Sequence, residues 1–174
     1  MDKNNFYIRI FNKEDQLDVQ KMVVNGLTYT AKDRTDNVKN GIAAYLERSI
    51  KEDLGNIYEH YFPTGIFFVA ISGTNIVGCL GAQKEGTSTF RLKRLSVKMH
   101  YRNQGIAREL LNNVEIWSRE RKVTKLILGT SEVQKDALRF WQKSGFQVIE
   151  SEVVESGIEV FSLIKNLDFN FNDG

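Results

Sequence analysis

The spacing of apolar side chains along one short segment constrains the fold more than any other feature. Its apolar residues are separated by two, three and two positions: Phe90, Leu92, Leu95 and Val97. Because a strand places alternate side chains on one face, the three-residue step predicts one extra residue near Lys93 and Arg94, which is a β-bulge. The bulge would leave backbone groups unpaired and separate this strand from one predicted at 126–128. Alternatively, the strand is regular and Leu95 faces a second layer of helices.

The elements around this segment predict an α/β fold, a mixed α+β arrangement with a twisted mixed sheet of about seven strands flanked by about four helices. Gly26 and Gly145 are placed to end helices. We expect one domain over residues 1–165 and a flexible polar tail over 166–174. The predicted strands are 6–10, 66–71, 76–82, 89–97, 126–128, 146–149 and 158–164, and the predicted helices are 12–26, 38–53, 105–121 and 132–144.

Composition excludes several classes of protein. A chain of 174 residues that is 41% hydrophobic and 26% charged is typical of one packed domain. A formal net charge of +2 gives little support to binding of duplex nucleic acid. The single cysteine, Cys79, lies in a predicted strand and is expected in the core rather than as a nucleophile, and it favours the cytoplasm. With 2 histidines we expect no metal site, and without a long apolar run we expect no membrane segment.

The loop after the irregular strand has the features of an anion site. Arg102, Gly105 and Ala107 form the pattern R-x-x-G-x-A between a predicted strand and a predicted helix. Small residues let a ligand approach the backbone, and the unpaired first-turn amides of a helix attract phosphate. The pattern lacks the G-K-[ST] of a P-loop and the three glycines of a dinucleotide fingerprint. Taken alone, it also fits an ordinary turn.

Together with its neighbours, the segment 102–107 resembles the acyl-CoA pyrophosphate motif, Q/R-x-x-G-x-G/A, of the GNAT superfamily of N-acetyltransferases. The resemblance covers about residues 66–165, and the pattern T-S-x-x-Q-x-x-A at 130–137 looks like the camello-like branch. Membrane-anchored members of that branch carry a hydrophobic segment, which we do not expect here. The resemblance implies a single acetyl-CoA-binding domain whose sheet is splayed where the pantetheine arm inserts.

The resemblance also implies which residues bind coenzyme A, with no metal involved. Backbone at 95–97 would pair with pantetheine, and a free amide there could polarise the thioester oxygen. Amides at 102–108 would hold the pyrophosphate, Gln134 would contact the cofactor arm, and the face of helix 132–144 would pack near the sulfur. The implied binding residues are Leu95, Ser96, Val97, Arg102, Asn103, Gln104, Gly105, Ile106, Ala107, Arg108, Gln134, Ala137, Phe140 and Trp141.

Two residues depart from the GNAT pattern. Trp141 stands where many relatives have a tyrosine as general acid, and an indole N–H does not deliver a proton at neutral pH. Arg91 stands where many have a glutamate as general base, and arginine stays protonated. Arg91 would suit a carboxylate-bearing acceptor if it reaches the acceptor cleft; otherwise it is a solvated residue. The catalytic residues therefore stay unassigned, and the candidate proton carriers are Glu85, His100, Tyr101 and Tyr29.

These observations favour an enzyme that moves acetyl from acetyl-CoA to a primary amine of a small molecule or peptide, as a monomer or homodimer in the cytoplasm. The alternative is a non-catalytic acyl-CoA-binding or regulatory module, motivated by Arg91 and Trp141. A nucleic-acid-binding protein has only the basic clusters at 91–94 and 119–125 in its favour. We expect no nucleic-acid or membrane partner, and we expect residues 25–61 to select the acceptor.

Overall fold

The computed structural model describes residues 5–168, in which five α-helices flank one seven-stranded sheet. The predicted mixed α/β architecture is confirmed. The strands are β1 (Tyr7–Ile10), β2 (Ile66–Ser72), β3 (Asn75–Lys84), β4 (Thr89–Val97), β5 (Lys125–Ser131), β6 (Gln147–Val153) and β7 (Glu159–Asn166). The helices are α1 (Gln16–Thr30), α2 (Asp36–Ser49), α3 (Ile57–Tyr61), α4 (Ile106–Glu120) and α5 (Lys135–Lys143), and a π-helical turn (Ile50–Leu54) continues α2.

The sheet runs in the order β1-β2-β3-β4-β5-β7-β6. Neighbouring strands are antiparallel except β4 and β5, which are parallel and joined by α4. A parallel pair needs such a crossover connection, and its strands present their carboxyl ends at the same edge of the sheet. The loop between β4 and α4 therefore lies at the edge where a ligand is expected.

Both faces of the sheet are buried, which explains the unbroken apolar run of β2. Alternate residues of β2 face α4 on one side: Ile66, Phe68 and Ala70. The intervening residues face α1 and α3 on the other side: Phe67, Val69 and Ile71. Because side chains alternate along a strand, a strand covered on both faces must be apolar at every position.

Helix α1 does not end at Gly26 as predicted; it continues to Thr30. The prediction was wrong because Leu27, one residue later, packs against the buried clusters on this side of the sheet. A glycine inside a helix costs only about 1 kcal/mol relative to alanine, and tertiary packing of the following turn outweighs that cost. Gly145, with φ of 93°, does follow the end of α5 as predicted.

The C-terminal strand is longer than the sequence predicts. β7 includes Asn166, and Leu167 is buried with its amide donating to the carbonyl of Thr124 at 2.8 Å. The tail predicted from Asn166 therefore begins with two residues that belong to the fold, and its part at 169–174 lies outside the described residues. No helix within residues 5–168 combines the length and apolarity needed to cross a membrane.

Candidate functional site

The irregular spacing of β4 corresponds to a β-bulge. Two residues of β4, Arg94 and Leu95, lie opposite the single residue Leu80 of β3. Arg94 adopts the left-handed region with φ of 66°, which is uncommon for a residue with a side chain. Leu95 packs against the same apolar cluster as the other members of the pattern: Phe90, Leu92 and Val97. The predicted bulge is confirmed, and the alternative with Leu95 on the opposite face is wrong.

β4 and β5 separate just before the bulge. Their parallel pairing runs from Thr89 opposite Lys125 to Arg91 opposite Ile127 and then stops. Both strands continue, β4 to residue 97 and β5 to residue 131, where β5 remains paired with β7. The facing edges of the two strands therefore enclose a slot lined by main-chain donors and acceptors.

The N-terminus of α4 opens beside this slot. Gly105 precedes the helix with φ of 86°, and the first intrahelical hydrogen bond joins the amide of Glu109 to the carbonyl of Gly105 at 3.0 Å. The amides of residues 106–108 consequently have no partner within the helix. A Cβ atom at position 105 would meet nothing within 4 Å, so the space beside Gly105 is open. Free amides at the positive end of a helix dipole form a binding site for phosphate.

The slot and the helix N-terminus open into one cleft of about 2030 Å³. Gln104 does not line this cleft; its side-chain amide donates to the carbonyl of His100 at 3.0 Å instead. The other residues implied by the GNAT resemblance are brought together along its wall: Leu95, Ser96, Val97, Arg102, Asn103, Gly105, Ile106, Ala107, Arg108, Gln134, Ala137, Phe140 and Trp141.

The two departures from the GNAT pattern both lie on the cleft wall. Trp141 is buried between Phe140 and Phe146, with edge-to-face contacts at 5.0 and 5.1 Å between ring centroids. It therefore supplies apolar surface and no hydroxyl. Arg91 also lines the cleft, but its Nη2 atom lies 3.2 Å from Oε1 of Glu85, so part of its charge is already paired.

Of the four candidate proton carriers, only Tyr101 lines the cleft. Glu85 is paired with Arg91, and His100 is exposed in the turn after β4. Tyr29 lines a separate groove between α1 and α2.

A buried ion pair behind the bulge is the feature that sequence reasoning missed. The Arg94 guanidinium makes two hydrogen bonds to the carboxylate of Asp53 in the π-helical turn, one of them 3.0 Å long from Nε to Oδ2. Its Nη1 atom donates to the hydroxyls of Tyr45 and Ser49 at 2.8 and 3.0 Å. The Asp53 side chain is 0% exposed and that of Arg94 is 4% exposed. The hydroxyl of Tyr61 also donates to Asp53.

The charges of this pair stabilise one another. Burial by itself raises the pKa of Asp53, but the hydrogen bonds and charge of Arg94 outweigh it and hold that pKa below its usual value. Desolvation lowers the pKa of Arg94, but the hydrogen bonds to Asp53 together with the electrostatic effects of Tyr45, Asp53 and Tyr61 outweigh it, so that pKa is raised. Burial, followed by the nearby charge of Asp53, raises the pKa of Tyr61 well above its usual value. Burial also raises the pKa of Cys79, as expected for a core residue.

Comparison with known proteins identifies the family. A sequence model described as "Acetyltransferase (GNAT) family" matches residues 36–146, which is more than half of the chain. The chain belongs to the GNAT family. Its described part, residues 5–168, contains no group of three or more His, Cys, Asp or Glu side chains arranged to hold a metal ion.

Relatives within the family include members of the N-acetyltransferase 8 group, which agrees with the likeness to the camello-like branch. N-acetylaspartate synthetase of Danio rerio is 33% identical over 109 residues, covering 61% of this chain and 39% of the relative. N-acetyltransferase 8B of Homo sapiens is 32% identical over 110 residues, covering 59% of this chain and 48% of the relative. The chain thus spans about half or less of the length of these relatives.

Solved GNAT structures share the fold over almost the whole chain. A GNAT acetyltransferase from Staphylococcus aureus Mu50 superposes with a TM-score of 0.77 at 24% identity, covering 94% of this chain and 99% of that one. PaiA N-acetyltransferase from Thermoplasma acidophilum, in complex with coenzyme A, gives a TM-score of 0.76 at 19% identity with the same coverage. At these identities the likeness establishes the fold.

Proposed function

We propose that this GNAT protein transfers an acetyl group from acetyl-CoA to a primary amine of a small molecule or peptide in the cytoplasm. The observation that carries the proposal is that the slot between β4 and β5 leads directly to the free amides of α4 in one cleft. A flexible arm that ends in a pyrophosphate matches that combination of an extended main-chain slot and an anion site. Solved relatives that contain coenzyme A or acetyl-CoA give the proposal further support.

Different residues of the chain bind the pyrophosphate, the arm and the thioester of acetyl-CoA. Amides of residues 106–108 donate hydrogen bonds to the pyrophosphate, and the exposed guanidiniums of Arg102 and Arg108 flank them. Main-chain groups at 95–97, in and directly after the bulge, bind the arm and polarise the thioester carbonyl. The thioester supplies the activated acetyl group. Holding it beside the amine contributes about 7–11 kcal/mol at best toward lowering the barrier.

The acceptor is expected to carry a carboxylate. We define the acceptor end of the cleft as the part lined by α1, α2 and the loop between them, by residues 91–97 of β4, and by the turn between β6 and β7. Among residues 5–168 its only acidic lining residue is Glu155, against five basic ones: Arg34, Arg48, Arg91, Lys93 and Arg94. The acids that pair with four of these cations lie outside the lining: Glu132, Glu85, Glu52 and Asp53.

Arg48 has no acidic group within 4.0 Å among the described residues, so it is the cation most available to a ligand. An arginine fork binds a carboxylate in a bidentate manner. One relative is named for the synthesis of N-acetylaspartate, an acetylated amine that carries carboxylates, and this supports an acidic acceptor here.

The test combines calorimetric titration with acetyl-CoA and an assay of thiol release with paired acceptors. Each pair consists of an amino acid and the amine that lacks its carboxylate. We expect binding of acetyl-CoA and faster turnover of the amino acid. Failure of the folded protein to bind acetyl-CoA would contradict the proposal. Binding without transfer to any amine would favour a non-catalytic acyl-CoA-binding module, which Arg91 and Trp141 make the second candidate.

A further inference from the structure

The cleft contains few groups that can move a proton. Within residues 5–168 its acidic and phenolic lining residues are Tyr45, Tyr101, Glu109, Glu115, Asp136 and Glu155. Glu115 is held by Lys165 at 2.6 Å and Arg119 at 3.2 Å. Glu109 and Asp136 lie in the first turns of α4 and α5, outside the acceptor end defined above. At the acceptor end this leaves Tyr45 on α2 and Glu155, which is exposed in the turn between β6 and β7.

Tyr45 is the only one of these residues that forms a hydrogen bond to the bulge. Its hydroxyl oxygen lies 2.8 Å from Nη1 of Arg94, and its ring centroid is 5.6 Å from Cζ of the same guanidinium. Arg94 is in turn fixed by the two hydrogen bonds to buried Asp53. The position of the Tyr45 oxygen is thus fixed by a residue of the bulge.

The Tyr45 hydroxyl accepts a hydrogen bond but does not donate one within the described residues. A guanidinium has donors only, so Arg94 donates and the Tyr45 oxygen accepts. The hydroxyl proton of Tyr45 has no acceptor among the described side chains and backbone, and the residue is 44% exposed. It remains available to a bound molecule. A negative charge left on the oxygen would keep the hydrogen bond from Arg94, and charge-assisted hydrogen bonds are about twice as strong as neutral ones.

We propose that Tyr45 is a catalytic residue that carries a proton from the acceptor amine to the departing sulfur; this rests on the proposed function. The amine nitrogen forms a bond to the carbonyl carbon, and the C–S bond breaks with its electron pair going to sulfur. Tyr45 gives its hydroxyl proton to that sulfur and takes one proton from the nitrogen, so the phenol is restored. Arg94 holds the oxygen in place during the exchange. Tyr45 thereby replaces the acid and base whose usual positions are occupied by Trp141 and Arg91.

The test compares Tyr45→Phe with Tyr29→Phe, which removes the same hydroxyl from an exposed tyrosine in the separate groove between α1 and α2. Thiol release gives kcat and both KM values, calorimetry gives the Kd of CoA, and thermal unfolding gives Tm. We expect Tyr45→Phe to lower kcat about 10²-fold or more, as removal of a general acid–base group does, with the Kd and the KM for acetyl-CoA within a factor of three (about 0.7 kcal/mol). Tyr29→Phe should match the wild type.

Two measurements separate proton transfer from other roles. The solvent deuterium isotope effect on kcat should be present in the wild type and altered in Tyr45→Phe, which a structural role would not produce. An unchanged kcat in Tyr45→Phe overturns the inference and leaves the proposed function standing, as does a raised KM for the amine at constant kcat. Absence of transfer by the wild type with every amine overturns the proposed function, and the inference with it.

Discussion

The buried pair of Asp53 and Arg94 gives the sharpest prediction of stability. Replacement of Asp53 by Asn removes a charge that is 0% exposed and leaves the guanidinium, 4% exposed, without a counter-ion. Loss of one partner of a buried pair costs about 3–5 kcal/mol, because the remaining charge stays desolvated. For a domain of this size, each kcal/mol lowers Tm by about 2–4 °C. Asp53→Asn should therefore lower Tm by about 6–20 °C.

The neighbouring acid provides a matched control. Glu52 lies 3.0 Å from Lys93 and 3.8 Å from Arg94, but its side chain is 56% exposed. Solvent-exposed ion pairs contribute about 0–1 kcal/mol, so Glu52→Gln should change the free energy of unfolding by no more than that. Chemical denaturation of both variants measures the difference. A loss of less than 1 kcal/mol in Asp53→Asn, or equal losses in the two variants, would refute the reasoning about burial.

The dependence on pH follows from the lowered pKa of Asp53. A carboxyl whose pKa is lower in the folded state than in the unfolded state stabilises the fold above the unfolded value, which is about 3.9. This contribution is lost as the pH falls through the folded pKa. The wild type should therefore be more stable than Asp53→Asn at pH 7, and the difference should shrink below about pH 4. A difference that stays constant down to acid pH would show that the charge of Asp53 is not its source.

Two further predictions address the ends of the cleft. Gly105→Ala places a side chain on a left-handed backbone beside the α4 N-terminus, so it should weaken CoA binding measured by calorimetry. The control is Gly73→Ala, since Gly73 has φ of 60° in the open β2–β3 turn. Both variants should lose about 1–2 kcal/mol of stability, but Gly73→Ala should bind CoA as the wild type does. Equal CoA affinity of the two variants would contradict the assigned anion site. Arg48→Gln should raise KM for a carboxylate-bearing amine about tenfold in steady-state assays. Lys39→Gln, on the same helix but outside the cleft, should leave that KM unchanged. An unchanged KM in Arg48→Gln would show that Arg48 does not bind the acceptor.

The regular elements and the bulge could be predicted because their signals are local. A buried face fixes which residues of a strand point inward, so the three-residue step between Leu92 and Leu95 was enough to require an extra residue. The free amides of α4 likewise follow from Gly105 at a junction of strand and helix. In both cases the residues that determine the structure lie within a few positions of it.

The structure of the acceptor end of the cleft could not be predicted, because it depends on contacts between residues that are distant in sequence. Asp53 and Arg94 are 41 positions apart, and nothing near Asp53 indicates that a π-helical turn will bury it against β4. The position of Tyr45 could not be predicted for the same reason, because its hydroxyl accepts a hydrogen bond from Arg94, which is 49 positions away in the sequence. An exposed tyrosine on an amphipathic helix carries no local sign of a role. The sequence pattern also gave no bounds for α3, a single short helix held by tertiary contacts.

The strain at Arg94 explains why these distant contacts matter for the cleft. A residue with a side chain in the left-handed region costs about 1–3 kcal/mol and persists only where its surroundings over-determine it. Here the determinants are Asp53, which binds the guanidinium, and Cys79, whose thiol lies 3.1 Å from the Arg94 carbonyl. The bulge, which lies just after the last pair between β4 and β5, is therefore maintained from the face of the sheet that packs against α1 and α3. A substitution that releases Arg94 should relax the bulge and close the slot, so the same change that lowers stability should also weaken binding of CoA.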